Sequence, residues 1–161
     1  MSDFDLNGDD FDEYADFDFD LDPTPFTDGL YLLEVDSMKV VHFEKSDTTN
    51  HVVNMHVVNE GPYKGVQVSL IAPMKGENVA FNRLEMGKKQ LRGFLTAALY
   101  GTDLTPDLKA LYIKDDEGNW YAPALEGIEV GAWLKQSGEY INIDFKGFVP
   151  ANEVEDDSAF D

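Results

Sequence analysis

The sequence predicts a mainly β domain, a five-stranded curled barrel with one helix after its third strand, flanked by acidic segments. Three observations carry this expectation. The 161 residues are 43% hydrophobic, enough for the core of one domain of ordinary size. Between residues 26 and 149 apolar residues recur mostly at the two-residue period of strands, and one stretch alone has the period of a helix. The formal charge of −20 is concentrated at the two ends.

Residues 1–25 hold ten acids and no base, and residues 150–161 hold five more acids, again with no base. The middle is left with 17 acids against all 12 bases, an ordinary mixture. The chain therefore divides into an acidic-aromatic segment over 1–25, a domain over 26–149 and an acidic tail over 150–161. In the first segment Asp alternates with Phe, Leu or Tyr. Such a run repels itself and cannot pack a core alone, so it is expected to be disordered or docked on something else. Asp3, Asp5, Asn7, Gly8 and Asp9 imitate the start of an EF-hand calcium loop. The twelfth loop position is Tyr14 and not a bidentate Glu, so no calcium site is expected.

The first strand is expected over Gly29 to Phe43. Leu33 and Val35 share one face, whereas Met38 and Val40 fall on the opposite parity, which predicts a bulge or sharp bend. After a polar turn over Glu44 to Asn50, a second strand follows from His51 to Asn59, with Val53, Met55 and Val57 inward. Gly61-Pro62-Tyr63-Lys64-Gly65 then turns the chain into a third strand from Val66 to Ala72. The helix follows, with Asn82 as its cap, Glu85 completing a capping box and Phe81 with Met86 as a hydrophobic staple. Its apolar stripe is Leu84, Leu91, Phe94, Leu95, Ala98 and Leu99, with Gly101 as a stop. Gly87 weakens the first turn by ~1 kcal/mol, which favours a regular helix only beyond it. Lys88, Lys89 and Arg92 form a basic patch on the polar side, read as a solvated face. Asp115 to Asn119 predicts a hairpin tip between Tyr112-Ile113 and Trp120-Tyr121.

The last hairpin, Val130 to Phe148, has the clearest turn signal, Ser137-Gly138 between two alternating runs. One face carries Val130, Ala132, Leu134, Ile141, Ile143 and Phe145, a core face. The other carries Gly131, Trp133, Lys135, Tyr140, Asn142, Asp144 and Lys146. Aromatics interleaved with lysines suit the stacking of a single-stranded nucleic acid. The alternative is that a neighbouring loop covers Trp133 and Tyr140.

Three strands, a helix and two more strands is the element order of an OB-fold. With Gly29-Leu30-Tyr31, Gly61-Pro62-Tyr63-Lys64-Gly65, Gly87-Lys88-Lys89-Gln90-Leu91, Leu125-Glu126-Gly127 and the acidic tail, the chain resembles the small single-stranded DNA-binding proteins of tailed-phage replication modules. The resemblance covers residues 26–161. It implies an OB-fold, sequence-independent binding of single-stranded DNA, and a tail that recruits replication or recombination proteins. It also implies the cytoplasm of a host bacterial cell and allows a homodimer. The candidate DNA-binding residues are then Trp133, Lys135, Tyr140, Lys146, Tyr31, Tyr63 and Lys64. The candidate partner-binding residues are Glu153, Glu155, Asp156, Asp157 and Phe160. Tails of that family often end in an aromatic residue, whereas here Phe160 is penultimate.

Nothing in the sequence points to an enzyme, a cofactor or a metal. There is no cysteine, no phosphate loop and no His-x-x-x-His pair. His51 and His56 are five apart, and on a straight strand they point to opposite faces. No apolar run approaches the ~20 residues that span a bilayer, and the acidic N-terminus lacks the basic start of a signal peptide, so no membrane partner is expected. The charge also admits a second reading, an acidic protein-binding module or DNA mimic that occupies a nucleic-acid site on a host protein.

Overall fold

The computed structural model describes residues 26–74 and 79–154. The segment 1–25, with its calcium-like run, and Glu155, Asp156, Asp157 and Phe160 of the tail lie outside the described residues. The elements run β1 (Gly29–Phe43), β2 (Thr48–Val57), β3 (Gln67–Pro73), α1 (Phe81–Ala98), α2 (Leu108–Leu111), β4 (Ile113–Lys114), β5 (Trp120–Tyr121), β6 (Glu129–Ser137) and β7 (Tyr140–Pro150). All seven strands belong to one antiparallel sheet. β1 lies at its centre, with β2 and then β3 on one edge, and β6 and β5 end to end on the other. β7 pairs with β6 and comes alongside β3 without pairing to it, so the sheet curls but is not closed. Two strands exceed the expected five. They are the two-residue β4 and β5, which form a small hairpin on β1 through Lys39 and Tyr121.

The core lies inside the curl. Leu33 and Val35 of β1, Val53, Met55 and Val57 of β2, and Val130, Ala132 and Leu134 of β6 are all buried there. The parity change expected in β1 is present: the register with β2 shifts between Val35 and Ser37, and beyond it Met38 turns inward opposite Val53. A bulge of one residue changes which side chains face the core, so both halves of the strand can bury their apolar set.

Helix α1 closes the open side of the curl with Leu91, Phe94, Leu95, Ala97 and Ala98 buried. It starts earlier than expected and without the expected cap. Ala80 is the N-cap, and no side chain caps the helix. Asn82 and Glu85 lie inside the first turns, and Phe81 and Met86 are exposed instead of stapled. Gly87 is buried inside the helix, and a Cβ there would lie 3.0 Å from Cδ of Pro73. Glycine at this position lets the helix sit close on β3 and does not delay its start.

The last hairpin departs most from expectation. Ser137 pairs with Tyr140, so the turn residues are Gly138 and Glu139, one place later than expected. Gly138 has φ of 62°, which suits glycine at the first central position of a two-residue hairpin loop. Leu134 therefore opposes Ile143 and not Ile141, but a slip of two residues keeps every side chain on its expected face. Further along, Trp133 alone opposes residues 144–147, and Ala132 pairs with Phe148. This bulge reverses the parity of β7. Phe145 is 86% exposed, which corrects its assignment to the core, and Phe148 packs against Phe94 with ring centroids 5.4 Å apart. Gly147, with φ of 78°, makes the reversal possible.

The expected tail boundary at 149/150 falls inside β7. The strand runs through Pro150, a 3-10 turn spans Ala151–Glu153, and Val154 lies over Gly131. Glu153 is part of this folded end. A Cβ on Gly131 would meet Val154 at 2.4 Å and Val149 at 2.7 Å, so glycine makes room for the turn.

The parity reversal gives a paired prediction. Phe145→Ser should leave the melting temperature close to wild type, whereas Phe148→Ala should cost about 3 kcal/mol through the lost ring contact and the cavity left behind. Thermal melts by circular dichroism check both. Equal losses would mean that β7 keeps one parity throughout.

Candidate nucleic-acid interface

The β6–β7 hairpin presents Trp133, Lys135, Tyr140 and Asn142 on its outer face. Lys135 pairs with Asn142 and Ser137 with Tyr140, and Val130, Ala132 and Leu134 occupy the opposite, buried face. Tyr140 is 73% exposed, and Trp133 is half-buried. No loop among the described residues covers Tyr140. The bulge opposite Trp133 brings Lys146 back over the indole, with Nζ 4.4 Å from the ring centroid. That contact is a cation–π pair, attractive by ~0.5–1 kcal/mol at a wet site. Trp133 therefore displays a flat ring with a positive charge already held against it.

The surface continues from β7 across the unpaired seam to β3. A groove of about 400 Å³ lies there between Gln67, Ser69 and Ile71 on one side and Tyr140, Ile141 and Asn142 on the other. Beyond it a polar row crosses three strands. Ser69 Oγ donates to Asn54 Oδ1 at 2.7 Å, and Asn54 Nδ2 donates to Ser37 Oγ at 3.2 Å. His56 pairs with Asp36 at 2.8 Å beside that row. The far boundary is acidic, because Glu34 and Glu129 sit directly opposite one another on β1 and β6. On this face the β6–β7 arm carries Lys135 and Lys146, and Lys39 stands on β1 beyond the polar row.

The structure gathers most of the expected residues at one end of the sheet. Backbone N–H groups of Phe26 and Gln136 donate to Gln136 Oε1 and Asp28 Oδ1 respectively, which ties the start of β1 to the end of β6. Tyr63 bonds to Thr27 through its hydroxyl at 3.3 Å, so the 61–65 turn reaches the same end. Tyr31 leaves the candidate set. It is 2% exposed and packs in an aromatic cluster with Phe26 and Tyr63, its phenol donating to the carbonyl of Thr27. Burial, then Tyr63 and Asp28, push that phenol up to about 12. Tyr63 is half-buried in the same cluster and offers only part of its ring. Lys64 is exposed but paired with Glu60 at 2.6 Å, a surface pair that a stronger anion can replace.

Two further features escaped the sequence reading. Lys114 Nζ lies 5.3 Å from the ring centroid of the exposed Trp120 on the β4–β5 hairpin, a second lysine–tryptophan pair. His51 stacks on Tyr112, the rings 16° from parallel, and its Nδ1 is 2.8 Å from the phenol oxygen. The signal for the first was present in Lys114 and Trp120 flanking an Asp-Gly-type tip. The second joins residues 61 positions apart and has no local signature. Among the described residues no group of three or more His, Asp or Glu is placed to hold a metal ion, and no helix is long and apolar enough to cross a membrane.

Compared with known proteins, the chain matches no family model and no curated protein.

Burial lowers the pKa of His51 below the ordinary imidazole value. The ring shares a hydrogen bond with the Tyr112 hydroxyl, and burial pushes that phenol upward. The unfolded chain takes up a proton near pH ~6.5, before the folded one does. The contribution of His51 to stability is therefore complete above ~6.5 and declines as pH falls from there towards the folded pKa. Urea titrations of wild type and His51→Gln between pH 8 and pH 5 should show the wild type losing more stability across that window. Parallel pH profiles would mean that the imidazole is equally protonated in both states.

Proposed function

We propose that the protein is an OB-fold module that binds single-stranded DNA without sequence preference, in phage DNA replication or recombination. Support for the fold comes from the strand path β3-β2-β1-β6-β7, the helix between β3 and the last hairpin, and β7 lying beside β3. Support for the function comes chiefly from one observation: the outer face of β6–β7 displays Tyr140 and Trp133 as flat rings, with Lys146 against the indole and Lys135 beside it. Successive bases stack on such rings whatever their identity, and the lysines neutralise phosphates along the strand. The acidic boundary at Glu34 and Glu129 directs a polyanion along the β6–β7 arm towards Lys64 and away from the middle of β1. In this reading the tail, with Glu155, Asp156, Asp157 and Phe160, recruits replication or recombination proteins in the cytoplasm of the host cell. The C-terminal acidic tail then limits access of DNA to the face.

Gel shifts with oligonucleotides of unrelated sequence should give similar affinities. Trp133→Ala and Tyr140→Ala should each weaken binding by ~1–3 kcal/mol, with Tyr140→Ala leaving the melting temperature unchanged. Failure of both substitutions to alter affinity would remove the stacking face. Lys135, Lys146 and Lys64, with one further base in reach, give about two to four phosphate contacts. Log affinity against log salt should then fall with a slope of roughly −1.4 to −2.8, at ~0.7 per contact on a single strand. A slope near zero would discard the phosphate contacts.

The charge of −20 favours one second reading, an acidic module or DNA mimic that occupies a nucleic-acid site on another protein. It predicts no shift of any oligonucleotide, together with displacement of DNA from a host nucleic-acid-binding protein.

A further inference from the structure

A second surface lies away from the sheet face, where α1 meets the far end of β3. A groove of about 600 Å³ runs between the helix and the Pro106–Leu108 segment. Its floor is apolar, with Leu84, Leu91 and Leu95 along the helix, and its helical rim carries Lys88 and Arg92. Phe81 stands three residues before Leu84 on the same helical stripe and is 76% exposed. Helix α1 carries four bases, Arg83, Lys88, Lys89 and Arg92, against the single acid Glu85. Lys88 is 3.4 Å from Glu85, and Arg92 forms no ion pair among the described residues. A third of the chain's 12 bases thus sits on one helix of a protein whose net charge is −20. A solvated helix face accounts for the charges. It does not account for an apolar trough beneath them or for an uncovered phenylalanine one helical turn before Leu84.

We propose that this groove seats the acidic-aromatic N-terminal run of the same chain, an aromatic ring resting on Leu84, Leu91 and Leu95 and the neighbouring carboxylates meeting Lys88 and Arg92. The chemistry matches on both counts. Residues 3–22 hold ten acids and no base, and Phe4, Phe11, Tyr14, Phe17 and Phe19 recur among them. The reach matches as well. Phe26 packs on Tyr63 at the near end of β3, and the groove lies at Pro73, the far end of that seven-residue strand. The distance along the strand is about 23 Å, which about seven or eight extended residues cover. Phe17, Tyr14 and Phe11 are all far enough from Phe26 to arrive, so the attachment is within one chain and does not need a second copy. Seated there, the run covers the exposed Phe81, neutralises the basic helix and keeps its charge off the sheet face. This site stands apart from the nucleic-acid reading and holds whether or not the sheet face binds DNA.

The chain has no cysteine, so Ala15→Cys supplies its only thiol, and a nitroxide there reports where the run rests in the full-length protein. Amide signals of Leu84, Leu91, Leu95 and Leu108 should lose intensity when the label is oxidised, while those of Lys135 and Tyr140 should not. A double variant, Lys88→Glu with Arg92→Glu, should restore the groove signals. Replacing Phe11, Tyr14 and Phe17 together by Ser keeps every charge and should restore them equally. Broadening that survives the serine variant would reduce the contact to diffuse charge attraction and overturn the proposal. Broadening on the β6–β7 face, or none anywhere, would overturn it too. A mixture of labelled protein with isotope-enriched unlabelled protein should show no broadening, and loss of groove signals in that mixture would transfer the contact to a second copy. No DNA enters these measurements, so their failure is distinct from failure of the nucleic-acid reading.

Discussion

The length of β1 is the constraint on which the rest depends. Fifteen residues of straight strand span roughly 50 Å, against a radius of gyration of about 14 Å for a domain this size. The strand must therefore bend, and it finds partners on both edges. Its bulge beyond Val35 supplies the bend and resets the parity, so that Leu33, Val35 and Met38 all reach one core. Along one edge β2 follows it nearly end to end. Along the other, β6 takes the first half and the short β5 takes a position beyond the bulge.

The regular parts of this architecture were legible in the sequence because they follow from alternation. Val53, Met55 and Val57, the parity change in β1 and the Asp115–Asn119 tip all appear where the pattern places them. What was not legible depends on contacts distant in sequence. Asn82 and Glu85 have the spacing of a capping box, but the chain enters the helix two residues earlier from an extended Ala80, and the spacing goes unused. Gly87 and Gly131 look like weak points, and both prove to be places where another segment comes close. In the candidate site the outer-face set Trp133, Lys135 and Tyr140 was legible from alternation alone. Tyr31 was not, since its burial depends on Phe26 and Tyr63 closing over it. The bulge in β7 removed Phe145 from the core, and it also carried Lys146 onto the indole. One irregularity accounts for both departures.

The distribution of charge gives the molecule two surfaces of the same kind. Each combines apolar or aromatic area with cations on a strongly acidic background: the β6–β7 arm with Lys135 and Lys146, and the α1 groove with Lys88 and Arg92. Attraction between exposed charges fades beyond about 8 Å at physiological ionic strength, so neither surface senses the total charge of the chain. Each responds to what lies within that range. Placing acids at the ends and bases on a helix and a hairpin thus keeps local fields of opposite sign within one molecule.

Val154 occupies the space left by the missing side chain of Gly131, on the same face as Trp133 and two residues from it. That contact holds the 3-10 turn after β7 against β6, on the side of the sheet that carries the tryptophan. A side chain at Gly131 would push the turn off the strand, so one glycine decides where the last turn of the domain comes to rest.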